Sequence, residues 1–297
     1  MYLGIDVSSI DKSQKVDWQK VKSTGCLFAI FRGTYNTWVD PSWSTQAQKA
    51  KDAGLTVGAY LFPVMSKKAP SAAQQVAAFV KTVGPLTEKE FPPVLDVEFA
   101  MPGISSTERS RPELLVWIRE AVAELKKAYG ISPIIYTSAR IWDGEDPDAL
   151  NIDALGATPE LLECPLWLAR YPYRVRIDAV GDSIGEKRIV ESLPLPPVPK
   201  AWGPENVWIH QYQGNALSFP GFSLPVDLNR FFDLRRGSNG ERVKWLQRKL
   251  TNYGFLEIDG LFGPRTHSAV CLFQLEKDLI VDGIVGPKTF AALCWVR

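Results

Sequence analysis

Short runs rich in β-branched and aromatic residues punctuate the first two thirds of the chain: YLGIDVS, CLFAIFR, LTVGAYLF, PPVLDVEF, PIIYTS, PLWLARY and VWIHQY. Stretches with apolar residues at helical spacing lie among them, over Val16 to Lys22, Trp43 to Ala53, Ala72 to Val83 and Glu113 to Tyr129. Strands alternating with helices predict a parallel sheet joined by crossover connections. About eight strands, counting a last one in PVDLNRF, favour closure into a barrel over an open sheet. From Arg174 to Asn206 the prolines resist regular structure, and the segment reads as a long surface loop with a small hairpin.

Beyond Phe232 the pattern changes. Asp259-GLFGPRT returns 23 residues later as Asp282-GIVGPKT, and both copies run on into a helical pattern. Each DGxxGP predicts a tight turn with Gly at positive φ, followed by Pro in the first turn of a helix. With the amphipathic ERVKWLQRKL before them, these form a compact all-α module of about 65 residues. The division expected is a catalytic barrel over residues 1–231 and a helical domain over 232–297.

Charge and cysteine content narrow the classes. The 34 Lys and Arg nearly balance 33 Asp and Glu in 297 residues, so net charge gives no argument for nucleic acid or an anionic membrane. Residues 233–297 carry ten basic against seven acidic side chains, a weak bias towards an anionic polymer. No run approaches the roughly 20 apolar residues of a membrane span, and MYLGIDVSS lacks the basic and apolar regions of a signal peptide. Cys26, Cys164, Cys271 and Cys294 show no CxxC spacing and only two histidines accompany them, which predicts buried free thiols and no metal centre.

The informative anomaly is acid in apolar strands. Side chains alternate across a strand, so Val94, Asp96 and Glu98 share one face of PPVLDVEF while Leu95, Val97 and Phe99 share the other. In YLGIDVSS, Asp6 lies opposite Leu3, Ile5 and Val7; in PVDLNRF, Asp227 and Asn229 lie opposite Val226 and Leu228. Four acids in such settings are costly to bury unless they converge on a polar pocket. Neighbouring carboxylates oppose one another's ionisation, which keeps one protonated as a general acid beside an ionised partner. Glycosidic hydrolysis needs that division of labour. Tyr60, Tyr136, Trp167, Tyr171 and Tyr212 recur near the ends of the same segments, and aromatic faces suit sugar rings.

The ordered set GIDVSS, VDWQKVKSTG, FAIFRGT, AKDAGLTVGAYLF, PPVLDVE, PIIYTS, LWLARY, WIHQY and VDLNRF resembles the glycoside hydrolase family 25 lysozymes, which are N-acetylmuramidases. The resemblance implies a modified (β/α) barrel, mostly parallel, that hydrolyses the β-1,4 bond between N-acetylmuramic acid and N-acetylglucosamine in peptidoglycan. It implies no cofactor. By motif, Glu98 corresponds to the general acid, Asp96 to the nucleophile or stabilising carboxylate, and Asp6 and Asp227 to two further active-site acids. Tyr60, Tyr136, Trp167, Tyr171, Gln211 and Arg32 fall at sugar-contact positions. Members often carry Lys at the position of Arg32 and His at that of Leu61, which alters the polar contacts of the pocket. LRRGSNGERVKWLQRKL, the paired DGxxGP turns and LFQ resemble the helical peptidoglycan-binding domain of wall hydrolases, implying a tether on an insoluble polymer. The expected partner is peptidoglycan glycan, met by a monomer with no nucleic acid and no stable membrane insertion. A phage-endolysin-like route to the wall through a holin is implied as well.

Two rivals differ in class. GDSIG at residues 181–185 fits a serine nucleophile elbow. The order Ser, acid, His then demands a histidine after the acid, yet His210 precedes Asp227 and His267 lies in the other module, so Ser183 reads as a loop residue. A non-catalytic wall-binding barrel is the second rival, and the retention of all four acids argues against it.

Overall fold

The computed structural model describes residues 1–10, 14–98, 109–143, 158–171, 193–194, 197–199, 202–203, 206–216, 219–254 and 256–296. Among the described residues nine strands form one sheet: β1 (Tyr2–Val7), β2 (Cys26–Tyr35), β3 (Trp38–Val39), β4 (Thr56–Phe62), β5 (Val94–Asp96), β6 (Ile134–Thr137), β7 (Leu166–Ala169), β8 (Val207–Ala216) and β9 (Val226–Phe231). The order β1-β9-β8-β7-β6-β5-β4-β2 closes through a β1–β2 pairing, and β3 hangs on β2 as a hairpin arm. The result is the closed eight-stranded barrel that the alternation predicts.

All neighbours in the closed ring are parallel except those of β9, which runs antiparallel to both β8 and β1. That reversal has a consequence for chemistry. The start of β9 lies at the same rim as the ends of the parallel strands, where such barrels collect their functional side chains.

Around the sheet lie α1 (Trp18–Ser23), α2 (Pro41–Asp52), α3 (Ala72–Val83), α4 (Arg111–Tyr129) and the short α5 (Ala139–Asp143) and α6 (Pro159–Leu162). Their boundaries follow local chemistry. Asp40 caps α2 ahead of Pro41, Ser71 and Gln74 form a reciprocal capping box on α3, and Gly130 ends α4 in the left-handed region at φ 75°. Strand alternation sorts the apolar residues into two layers. Ala59, Leu61, Leu95, Val97, Ile135, Leu166 and Leu168 pack outward on α3 and α4, whereas Phe28, Ile30, Val94, Ile134, Ile209 and Phe231 fill the barrel. Gly4 makes room for this filling, since a Cβ there would fall 2.3 Å from the Phe28 ring.

The C-terminal module consists of α7 (Glu241–Lys249), α8 (Pro264–Glu276) and α9 (Pro287–Cys294), with a single 3-10 turn at Thr251–Tyr253. Its sequence repeat is a structural repeat. Gln247 Nε2 donates to Asp259 Oδ1, Leu261 O and Thr266 Oγ1, and Gln274 Nε2 donates to Asp282 Oδ1, Ile284 O and Thr289 Oγ1. Gly260 at φ 76° and Gly283 at φ 68° donate their amides to the same two glutamines. Each buried Gln therefore closes one DGxxGP turn.

The module is not a loose appendage. Leu234 bridges to Val285, and Phe290 lies 4.3 Å from Trp208 and 5.4 Å from Phe231 by ring centroid. One apolar cluster runs from the barrel filling into α7, α8 and α9. Met1's amine pairs with Asp233, and Trp295 Nε1 donates to Glu90 O. The segment expected as a long loop, residues 174–206, lies mostly outside the described residues, as does Ser183. All four cysteines are free, and only Cys271 is not fully buried.

Because Phe290 is fully buried between the barrel and the module, Phe290→Ala should cost about 3–5 kcal/mol. Urea unfolding followed by tryptophan fluorescence and far-UV dichroism should show both signals shifting together in one transition. Separate transitions, with only the helical signal displaced, would show that the module is stable without the barrel.

Candidate active site

The four acids come from three strands. Asp6 on β1 and Asp227 on β9 are directly opposed cross-strand partners. Asp96 ends β5, and Glu98 follows just beyond it. Glu98 departs here from the strand placement that alternation predicts, because the ladder ends near Val97, whose amide still donates to Tyr136 O at 2.8 Å. Asp6 and Asp96 are 6% and 5% exposed, buried beyond what a solvated strand end would show.

Burial and mutual repulsion shape the titration. Burial raises Asp96 well above the usual carboxylate range, and the charges of Glu98 and Asp6 add to it while Arg32 opposes. Burial likewise raises Asp6, with Asp227 adding and hydrogen bonds from Asn229 and Gln211 opposing. Glu98 is pushed up to about 7, first by burial and then by Asp227. Asp227 is raised by burial against hydrogen bonds from the Asn215 amide and from Asp6. Such a cluster resists full ionisation, and Glu98, at about 7, is poised to exchange a proton near neutral pH.

Amides hold the cluster in shape. Gln211 Oε1 accepts from Tyr136 OH at 2.9 Å and Tyr171 OH at 2.6 Å, while its Nε2 donates to Asp6 Oδ2 at 2.8 Å and Asp227 Oδ2 at 3.4 Å. Phenols that donate and carboxylates that accept fix the amide's orientation between them. Asn229 works in parallel: its Oδ1 accepts from Trp167 Nε1 at 2.8 Å and its Nδ2 donates to Asp6 Oδ2 at 2.6 Å. Asp96 Oδ1 is buried with no hydrogen-bond partner among the described residues.

The aromatic residues separate into two groups. Tyr60, Tyr136 and Trp167 form one inward wall, with Trp167 4.7 Å from Tyr136 and 6.5 Å from Tyr60 in edge contacts. Tyr171 stands at the mouth, 46% exposed. Tyr212 does not join them. It packs in the outer layer with Ile5, Val7 and Leu228, because it follows Gln211 by one position and so takes the opposite face.

Arg32 lies at the edge of the pocket in a network that the sequence reading lacks. Its Nε donates to Asp40 Oδ2 at 2.7 Å and its terminal nitrogen to Ser9 Oγ at 2.7 Å. Asp40 also accepts from the amides of Ser9 and Ser42. Asn229 was legible, sharing a strand face with Asp227; Asp40 offered only the signal of a helix cap before proline. His210 is fully engaged: Nδ1 accepts from Arg230 Nε at 2.9 Å and Nε2 meets Arg170 O at 2.9 Å, and burial lowers it to about 4. It has no nitrogen left to serve as a general base.

Comparison with known proteins bears on the family and the fold. The profile of glycosyl hydrolases family 25 matches residues 5–188, and that of a peptidoglycan binding domain matches residues 239–293. Lysozyme M1 of Streptomyces globisporus is 32% identical over 143 residues, 47% of this chain and 47% of that protein. The matches span about half the length of the curated relatives. Among solved structures, a bacterial lysozyme from Streptomyces coelicolor superposes with TM-score 0.60 at 25% identity, covering 77% of this chain and 91% of that one. A family GH25 lysozyme from Aspergillus fumigatus shares the fold at TM-score 0.59 and 22% identity, covering 78% and 93%.

The raised Glu98 carries a stability signature. A carboxyl that titrates near 7 when folded and near about 4.3 when unfolded leaves its full stability below the lower value and loses it as pH rises through the upper one. Glu98→Gln should therefore melt above wild type at pH 8, with the gap closing towards pH 4. Equal melting temperatures across that range would mean that Glu98 is solvated.

Proposed function

The chain belongs to glycosyl hydrolases family 25, and from that premise we propose that it is a muramidase cutting the β-1,4 bond between N-acetylmuramic acid and N-acetylglucosamine of peptidoglycan. The single observation that carries the reading is a carboxylic acid raised to about 7 beside three further carboxyls in one cleft. Glu98 is the general acid that protonates the departing glycosidic oxygen. Asp96 answers the positive charge that develops at the anomeric carbon, and its Oδ1, unpartnered among the described residues, supports that role. Burial, with the charge of Asp227 added to it, keeps Glu98 protonated, and Gln211 and Asn229 orient Asp6 and Asp227 beside it.

Tyr60, Tyr136, Trp167, Tyr171, Gln211 and Arg32 supply the sugar contacts. Residues 232–297 act as the wall anchor, a role supported by the match to a peptidoglycan binding domain and by the repeat-locked turns. Because the anchor packs on the barrel floor through Phe290, it holds the catalytic mouth at a fixed attitude to the polymer. A monomeric working state and release through a holin-type route belong to the same proposal and rest on the sequence reading alone.

Glu98→Gln should abolish release of reducing ends from purified cell walls while sedimentation with the walls is unchanged. Clearance at the wild-type rate would remove Glu98 from the role; loss of both would point to a folding defect. The pH profile supplies a second check. A general acid must be protonated, so kcat/KM should fall as pH rises through about 7. A basic limb lying in the ordinary carboxylate range would contradict the assignment.

A further inference from the structure

The inward face of the barrel continues past the acids to the rim. On β4, Tyr60 and Phe62 point the same way, about 7 Å apart along the strand. Phe62 shares a register row with Tyr35 on β2. Tyr35 reaches that row through a bulge between Arg32 and Thr34, which shifts the alternation by one residue. The two rings stack, with centroids 5.4 Å apart and planes 29° apart. Across the β2–β3 hairpin, Trp38 leans on Tyr35 at 6.3 Å. Trp38 remains 72% exposed and its neighbour Val39 62%. An indole that open contributes little to the core, and a cluster of aromatic faces at a cleft mouth marks a contact surface.

The platform is held in place before any ligand arrives. Asn36, at φ 55° in the turn, donates its amide to Phe62 O at 2.7 Å, and Asp40 N donates to Gly33 O at 2.9 Å. Gly33 sits so close to α3 that a Cβ would fall 2.8 Å from Val83 and 2.9 Å from Phe79. The Asp40 carboxylate ties the hairpin root to Ser9 beyond β1 and to Arg32, whose guanidinium lies 6.0 Å from the Tyr35 ring. A surface fixed in this way spares the ordering cost that a mobile aromatic would incur on binding.

We propose that Trp38, Tyr35 and Phe62 form a sugar-stacking subsite that holds an N-acetylhexosamine ring of the glycan strand beyond the residues flanking the cleaved bond. The occupant follows from continuity: the platform extends the same face that carries Tyr60 and Arg32, so a strand lying in the cleft runs onto it. Aromatic faces pack on the C–H face of a pyranose and leave its hydroxyls to water. The inference rests on the muramidase reading above.

Peptide-free glycan strands of alternating N-acetylglucosamine and N-acetylmuramic acid, fractionated by length, test it. On long strands Trp38→Ala should raise KM by about five- to tenfold with kcat unchanged. On the shortest strands that the wild type cuts, KM should stay the same, and Trp38→Tyr should restore most of the loss on long ones. An unchanged KM on long strands, or an equal change at both lengths, overturns the subsite. A wild-type protein that cuts neither length overturns the muramidase reading instead, so the two failures are distinguishable.

Discussion

Two carboxyls set directly opposite one another across an antiparallel strand pair, Asp6 and Asp227, are the constraint on which the site depends. Like charges in that position destabilise a sheet, and the barrel wall offers them little water. The fold answers with Gln211 and Asn229, which donate to Asp6, while burial raises both carboxyls. Glu98 inherits the effect. It stays protonated near neutrality because it is buried beside a cluster that already resists further charge.

The reversal of β9 makes this possible. In an all-parallel barrel the first residues of the last strand would lie on the floor, and Asp227 would stand a strand's length from Asp6. Running β9 backwards puts its start at the rim that carries the acids and its end, Phe231, at the floor. The same reversal delivers the chain to the module. Phe231 passes directly into residues that pack α7 and α9 beneath the barrel, so the acids gather at one rim while the helical module packs against the other end.

Between rim and floor, alternation distributes roles residue by residue. Gln211 faces the acids and Tyr212 the outer layer; Tyr60 lines the pocket and Leu61 packs on α3. The bulge after Arg32 is the one place where β2 resets this alternation against β4 near the rim, and it turns Tyr35 towards Phe62. Small irregularities thus decide where the cleft ends.

The chain's own pattern determined the barrel, the faces on which Asp6, Asp96 and Asp227 fall, and the glycine-proline turns of the module. These are properties of period and local backbone chemistry, set within a few residues. The placement of Asp6, Asp96 and Asp227 on inward strand faces was legible for that reason. Other features depend on residues far apart in the chain. Gln211 bonds Asp6 across 205 positions and Phe290 fills the floor beneath Phe231. The direction of β9, the end of the β5 ladder before Glu98, the engagement of His210 by Arg230 and the outward turn of Tyr212 are decided by which segments become neighbours. Local sequence sets what a side chain can do, but burial and the charges around it, which tune a carboxyl to about 7, exist only once the barrel has closed.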